Sequence, residues 1–256
     1  MVMARMLNEV KSAPIADPGE PAATNVCWFE QTEASVPAEE DWLSPSEAAH
    51  LQRLRIPKRR CDWRLGRWTA KQAVAAYLNL SHEADSLRKV EIRPAPSGAP
   101  EVFIANRPAP VSISLSHRAG TAACLVARHG TDLGCDLEVI EPHTDAFIRD
   151  FFTTDEQSVI ARAPAASQPL IVALLWSAKE SALKALHEGL RLDTRDVRVL
   201  TNETDFNPLP PADAQTWRPL QVSAPNDLLF HGWWLHGDNL VRTLVASPRP
   251  ALPKTM

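Results

Sequence analysis

Apolar positions recur along the chain with two periods, and the changes between them mark the elements. VCWFE (26–30) reads as a short strand. SPSEAAHLQRL follows with helical spacing, with Ser44 at the N-cap position and Glu47 in the first turn. After Pro57, KRRCDWRLGRWTAKQAVAAYLNL predicts a second, longer helix. Strands are expected at 88–93, 101–104, 111–115 and 121–127. The last of these, TAACLVA, turns through RHGTD into LGCDLEVI, which predicts a hairpin with its loop at 128–131. In the second half, FFTTDEQSVIARA (151–163) starts with Thr153 or Thr154 as a cap and acids in its first turn, so it predicts a helix. PLIVALLWSAKESALKALHEGL (169–190) predicts a long helix ending near Gly189. DVRVL, then 219–223, 231–236 and 240–246, read as strands, with a Pro-rich loop over 207–219. Helices followed by strands, twice over, predict an α+β fold of two similar lobes, although no close sequence repeat relates them. The expected division is a mobile tail (1–24), an N-terminal lobe (25–130), a C-terminal lobe (131–247) and a second tail (248–256).

Composition narrows the function classes. A chain of 256 residues that is 45% hydrophobic can bury a real core, and a net charge of −4 does not suggest a nucleic-acid binder. Cys27, Cys61, Cys124 and Cys135 form no CxxC pair, which argues against a zinc site or a disulfide framework and fits a reducing cytoplasm. The N-terminus has no continuous apolar core of a signal peptide, and no run approaches a membrane span, so neither export nor a membrane partner is expected.

Three stretches carry candidate chemistry. In LGCDLEVI, Asp136 and Glu138 share one face of a strand, roughly 6–7 Å apart, while Leu133, Leu137 and Val139 face a core. At an effective dielectric of ~20 that repulsion costs roughly 2–3 kcal/mol, so water, a basic side chain or a metal ion must offset it. In WSAKESALK (176–184), Trp176, Glu180 and Lys184 lie on one helix face, and Lys179 sits one position round. Alone, Glu180 and Lys184 would be an ordinary surface pair. Finally, Arg60, Arg64, Arg67 and Lys71 form a stripe along one helix, within a basic run in an acidic chain, which marks an anion-site candidate.

GCDLE, FFTTDE and WSAKESALKALHEGL, in this order and at these intervals, resemble the Sfp-type 4′-phosphopantetheinyl transferase family. Upstream, SLSHR (114–118) resembles that family's Ser-His motif, GRWTAK (66–71) its Arg-bearing first helix, and SGAP (97–100) its Gly-x-Pro loop. The resemblance covers about residues 26–246. It departs at Ala99, where many members carry Lys or Arg, and at Arg118, where Ser is common.

The resemblance implies two α+β lobes about a pseudo-twofold axis, with coenzyme A in the cleft between them, and a monomer. It implies that Asp136, Glu138 and Glu180 hold Mg²⁺, and that the phosphopantetheine arm passes to a serine of an apo acyl or peptidyl carrier protein. Beside that metal on a rigid helix, Glu180 is the candidate general base, directly or through a bound water, and Lys184 is expected to neutralise charge on the transferred phosphate. Arg60, Arg64, Arg67, Ser116, His117, Lys179 and Lys184 are the expected coenzyme A contacts. A non-catalytic carrier or coenzyme A binder would be expected to have lost some of these charges. A Mg²⁺-dependent pyrophosphate hydrolase would need a nucleotide loop, and the chain has no P-loop.

Overall fold

The computed structural model describes residues 23–187, 192–200 and 216–256. Residues 1–22 of the expected N-terminal tail, the helix end near Gly189 and most of the Pro-rich loop lie outside these residues. In chain order the elements are β1 (Val26–Thr32), α1 (Pro45–Arg53), α2 (Pro57–Leu78), α3 (Ala84–Leu87), β2 (Val90–Pro94), β3 (Pro100–Ile104), β4 (Arg107–Pro108), β5 (Val111–Arg118), β6 (Thr121–Arg128) and β7 (Asp132–Val139). They continue with α4 (Asp145–Phe151), α5 (Thr154–Arg162), α6 (Gln168–Ala185), β8 (Arg198–Val199), β9 (Arg218–Ala224), β10 (Leu228–Gly237), β11 (Leu240–Ser247) and β12 (Lys254–Thr255).

Two sheets carry one topology. The first runs β12-β1-β6-β5 and the second β7-β11-β10-β9-β8, with β2-β3-β4 as a small third sheet. In each large sheet a strand (β1 or β7) precedes the long helix (α2 or α6). A hairpin follows later, and its second strand (β6 or β11) inserts between the first strand and its own partner. Even the hairpin turns match: Ala119–Gly120 and Asp238–Asn239 both have positive φ at two successive residues, the requirement of a tight two-residue turn. The expectation of two similar α+β halves therefore holds, and it is carried by topology rather than by sequence identity.

The expected hairpin between β6 and β7 does not form. Both edges of β6 are taken, by β1 and β5, so the chain crosses at residues 129–131 to start the second sheet, where β7 pairs with β11. Within 151–163 the expected helix forms as α5: Thr153 caps it, its side chain accepting from the Glu156 amide, while Phe151 closes the preceding α4. The C-terminal tail is docked, with β12 parallel to β1 and Pro250 bridged to Thr24.

Four layers result. Ala70, Ala73 and Val74 of α2 pack on Ile113, Cys124 and Val126 of the first sheet. The other face of that sheet (Trp28, Ala123, Leu125) meets Leu133, Cys135, Leu137 and Leu244 of the second. Beyond lies α6, whose Ile171, Leu174, Ala178 and Ala182 share a core with Val222, Phe230, Val241 and Val245. Each such fully buried Val or Leu contributes about 1.5–3 kcal/mol relative to exposure. Glu30 of β1 and Arg242 of β11 join the sheets through two hydrogen bonds of 2.7 Å.

Each half also contains the same buried clamp. Ser44 and Thr153 cap α1 and α5 in capping boxes whose acids are Glu47 and Glu156. Glu47 accepts from Lys71 of α2 at 2.6 Å and from the Ile92 amide at 3.1 Å. Glu156 accepts from Lys179 of α6 at 2.9 Å and from the Val199 amide at 3.0 Å. One carboxylate thus ties a short helix, the long helix and the strand that follows.

Candidate active site

Leu133, Cys135 and Leu137 of β7 face the inter-sheet core, so Gly134, Asp136 and Glu138 face α6, as the alternation requires. Gly134 sets how closely the two approach. A β-carbon there would lie 1.8 Å from the Ser181 carbonyl oxygen and 2.9 Å from the Ala185 nitrogen. Only a residue without a side chain lets α6 come this near. A glycine inside a strand marks such a contact, and this signal was present in the sequence but not read there.

The close approach brings α6 side chains onto the strand acids. Lys184 Nζ lies 2.8 Å from Asp136 Oδ1 and 2.9 Å from the Cys135 carbonyl. Burial is the largest single effect and pulls the Lys184 ammonium down, but Asp136, Cys135 and Glu180 together more than offset it, so its pKa is raised overall. Glu180, one turn earlier, has a raised pKa, first from burial and then from the charge of Asp136, with Lys184 opposing. Glu138 is pushed up to about 7, again by burial first and Asp136 second, against Arg118 and a hydrogen bond from Trp176. Arg118 Nε stands 3.2 Å from Glu138 and its Nη2 3.2 Å from Glu141. The Asp136, Glu138, Glu180 and Lys184 of the sequence reading are therefore one electrostatically linked group.

Among the described residues no three His, Cys, Asp or Glu side chains already converge tightly enough to hold an ion by themselves. Asp136 and Glu138 are instead turned onto Lys184 and Arg118. Yet Asp136 Oδ2 is buried with no hydrogen-bond partner. A buried, partnerless carboxylate oxygen among acids whose protons are held too tightly is a site short of positive charge. Hard oxygen donors of this kind suit Mg²⁺, which characteristically takes one or two carboxylates and completes its shell with water and phosphate.

Beside this group lies a cleft of about 370 Å³ lined by Arg67, Arg93, Ser97, Gly98, Lys184 and His187, among others. Arg67 is the member of the α2 stripe that reaches it, with its pKa lowered chiefly by burial. Arg93 of β2 joins it there, and no periodicity in the sequence pointed to that residue.

Several expected phosphate contacts are otherwise engaged. Lys179 is fully buried: its ammonium binds Glu156 and the Thr194 and Val197 carbonyls, using all three donors. It has no face left for a phosphate, so the expectation is corrected to a structural clamp. Arg60 donates to the Leu51 carbonyl at 2.6 Å, and Arg64 donates to the Pro37 and Ala38 carbonyls. They fasten α2 to the segment before it, and neither lines the cleft. Ser116 is bonded to β7, donating to Asp136 Oδ1 at 2.8 Å. His117, the next residue of β5, is exposed. Cys135 is a buried thiol pushed up to about 11, chiefly by burial, which removes it as a nucleophile.

Residues 132–220, which contain the acids of β7 and the whole of α6, match the family model of the 4′-phosphopantetheinyl transferase superfamily. The match lies on the half of the chain that carries the acids and α6. A relative from Nostoc sp., the 4′-phosphopantetheinyl transferase HetI, is 25% identical over 190 residues, covering 72% of this chain and 75% of its own. Among solved structures, the holo-[acyl-carrier-protein] synthase of Helicobacter pylori in complex with coenzyme A is 19% identical, with a TM-score of 0.28, over 40% of this chain and 98% of that one. Among its described residues this chain has no helix that is long and apolar enough to cross a membrane.

Proposed function

We propose that this chain moves the 4′-phosphopantetheine arm of coenzyme A onto a serine of an apo carrier protein, with Mg²⁺ bound by Asp136, Glu138 and Glu180. The observation that carries the reading is the orphaned Asp136 Oδ2, buried among acids whose pKa values are raised, at the edge of a cleft walled by Arg67, Arg93 and Lys184. The bound ion would neutralise pyrophosphate charge. Arg67 and Arg93 hold phosphate in the cleft as paired cations. Glu180 accepts the proton of the carrier serine, and its raised pKa brings it nearer the working pH of a general base. The serine oxygen bonds to the β-phosphorus as the bond to the leaving 3′,5′-ADP breaks. Lys184, at the meeting of the acids and the cleft, neutralises charge on the phosphoryl group in flight. The enzyme acts as a monomer in the cytoplasm, and free cysteines at all four positions support the cytoplasmic part. The lobes divide at the β6–β7 crossing.

The test follows 3′,5′-ADP release with and without an apo carrier protein. Release that requires the carrier supports transfer. Equal release without carrier would instead make the chain a pyrophosphate hydrolase.

A further inference from the structure

Two serines of β5 reach across to the free edge of β7. The other edge of β7 is paired to β11, so its outward amides need acceptors. Ser114 Oγ accepts from the Cys135 amide at 3.0 Å, and Ser116 Oγ accepts from the Leu137 amide at 3.2 Å. The two sheets are thereby spliced by hydroxyls where backbone carbonyls would normally serve.

The two splices differ in one respect. A hydroxyl has one proton, and because Ser116 accepts from the Leu137 amide, that proton is aimed elsewhere, at Asp136 Oδ1 at 2.8 Å. Lys184 donates to the same oxygen. Two donors on Oδ1 fix the plane of the carboxylate and leave Oδ2 buried and unpartnered. Ser114 touches no carboxylate.

We infer that Ser116 is a positioning residue, which locks the Asp136 carboxylate with Oδ2 presented to the metal and does not contact coenzyme A phosphate. The inference rests on the metal reading above. Without the Ser116 proton the carboxylate can rotate and offer both oxygens to Lys184 in turn, so the orphaned oxygen is no longer held ready. Coupling runs from the first sheet to the second, so the metal ligand is oriented by the other half of the molecule.

The experiment measures Mn²⁺ affinity by electron paramagnetic resonance of the free ion, with neither coenzyme A nor carrier present, together with the melting temperature. Ser116→Ala is expected to weaken Mn²⁺ binding by about 10–100-fold. Ser114→Ala is expected to lower the melting temperature comparably while leaving the affinity unchanged, and Ser116→Thr to restore it. Should Ser116→Ala not fold, Ser116→Cys, of similar volume but a weak donor, carries the same comparison. Unchanged affinity in the Ser116 variant, equal weakening by both alanine variants, or a raised coenzyme A KM with normal Mn²⁺ binding would overturn the inference. Wild-type protein that binds no Mn²⁺ would overturn the metal reading itself, a result distinct from these.

Discussion

Lys179 and Glu156 form an ion pair of 2.9 Å with side-chain exposures of 0% and 4%, one position along the helix from the proposed base Glu180. The pair is repeated in the first half by Lys71 and Glu47, at 2.6 Å and the same exposures. Removing one partner leaves the other charge buried and unmatched. Lys179→Met is therefore expected to cost about 3–5 kcal/mol in urea unfolding. The double variant Glu156→Gln with Lys179→Met should recover much of that loss. Additive losses would show that the two groups are not coupled.

The arginines of α2 divide by what they touch. Arg67 faces the cleft, whereas Arg60 and Arg64 hold backbone carbonyls. Arg67→Ala should raise the coenzyme A KM at least tenfold, the equivalent of about 1.4 kcal/mol. Arg60→Ala and Arg64→Ala should lower the melting temperature with little change in KM. A raised KM in the latter two with unchanged stability would put them back in the substrate site.

Much of this was legible in the chain. The Ser44 cap, the long α2 and α6, and the shared face of Asp136 and Glu138 follow from period and capping chemistry alone. Helical spacing also placed Glu180 and Lys184 together. What it could not say is which faces are already occupied. Lys179 and Glu180 are neighbours in sequence, yet the turn of the helix sends one into a sealed core and the other to the site. The β6–β7 hairpin failed for a similar reason: a local turn signal carries no information about β1, which arrives from some hundred residues earlier and takes the free edge of β6. The Ser116–Asp136 contact joins two sheets, so no local pattern reports it.

Glu138 makes stability depend on pH. Its folded pKa is about 7 against an ordinary 4.5, raised by burial and then by Asp136. Between those pH values the native state holds a proton that the unfolded chain has released, so stability falls as pH rises through this window. Metal-free protein is expected to lose up to about 3 kcal/mol from pH 4.5 to pH 7, read by urea unfolding in EDTA. Glu138→Gln should flatten that slope. An unchanged slope in the variant would assign the effect to another group.

At Gly134 the backbones of β7 and α6 come into direct contact. Because its β-carbon would strike backbone atoms of Ser181 and Ala185, no side-chain rotation can relieve the clash. Gly134→Ala is expected to destabilise by about 3 kcal/mol or more and to abolish divalent-ion binding. A variant with native stability and affinity would mean that α6 can back away without disturbing the acids.

The central claim is that the acids of β7 and α6 drive transfer of the arm, and intact-mass spectrometry of an apo carrier protein tests it most directly. With this protein, coenzyme A and Mg²⁺, the carrier should gain the mass of one phosphopantetheine. The gain should vanish with EDTA or Asp136→Ala and slow by about 10²–10⁴-fold with Glu180→Gln. Modification that proceeds undiminished in both variants would contradict the account, as would a carrier panel left unmodified by wild-type protein that still binds coenzyme A.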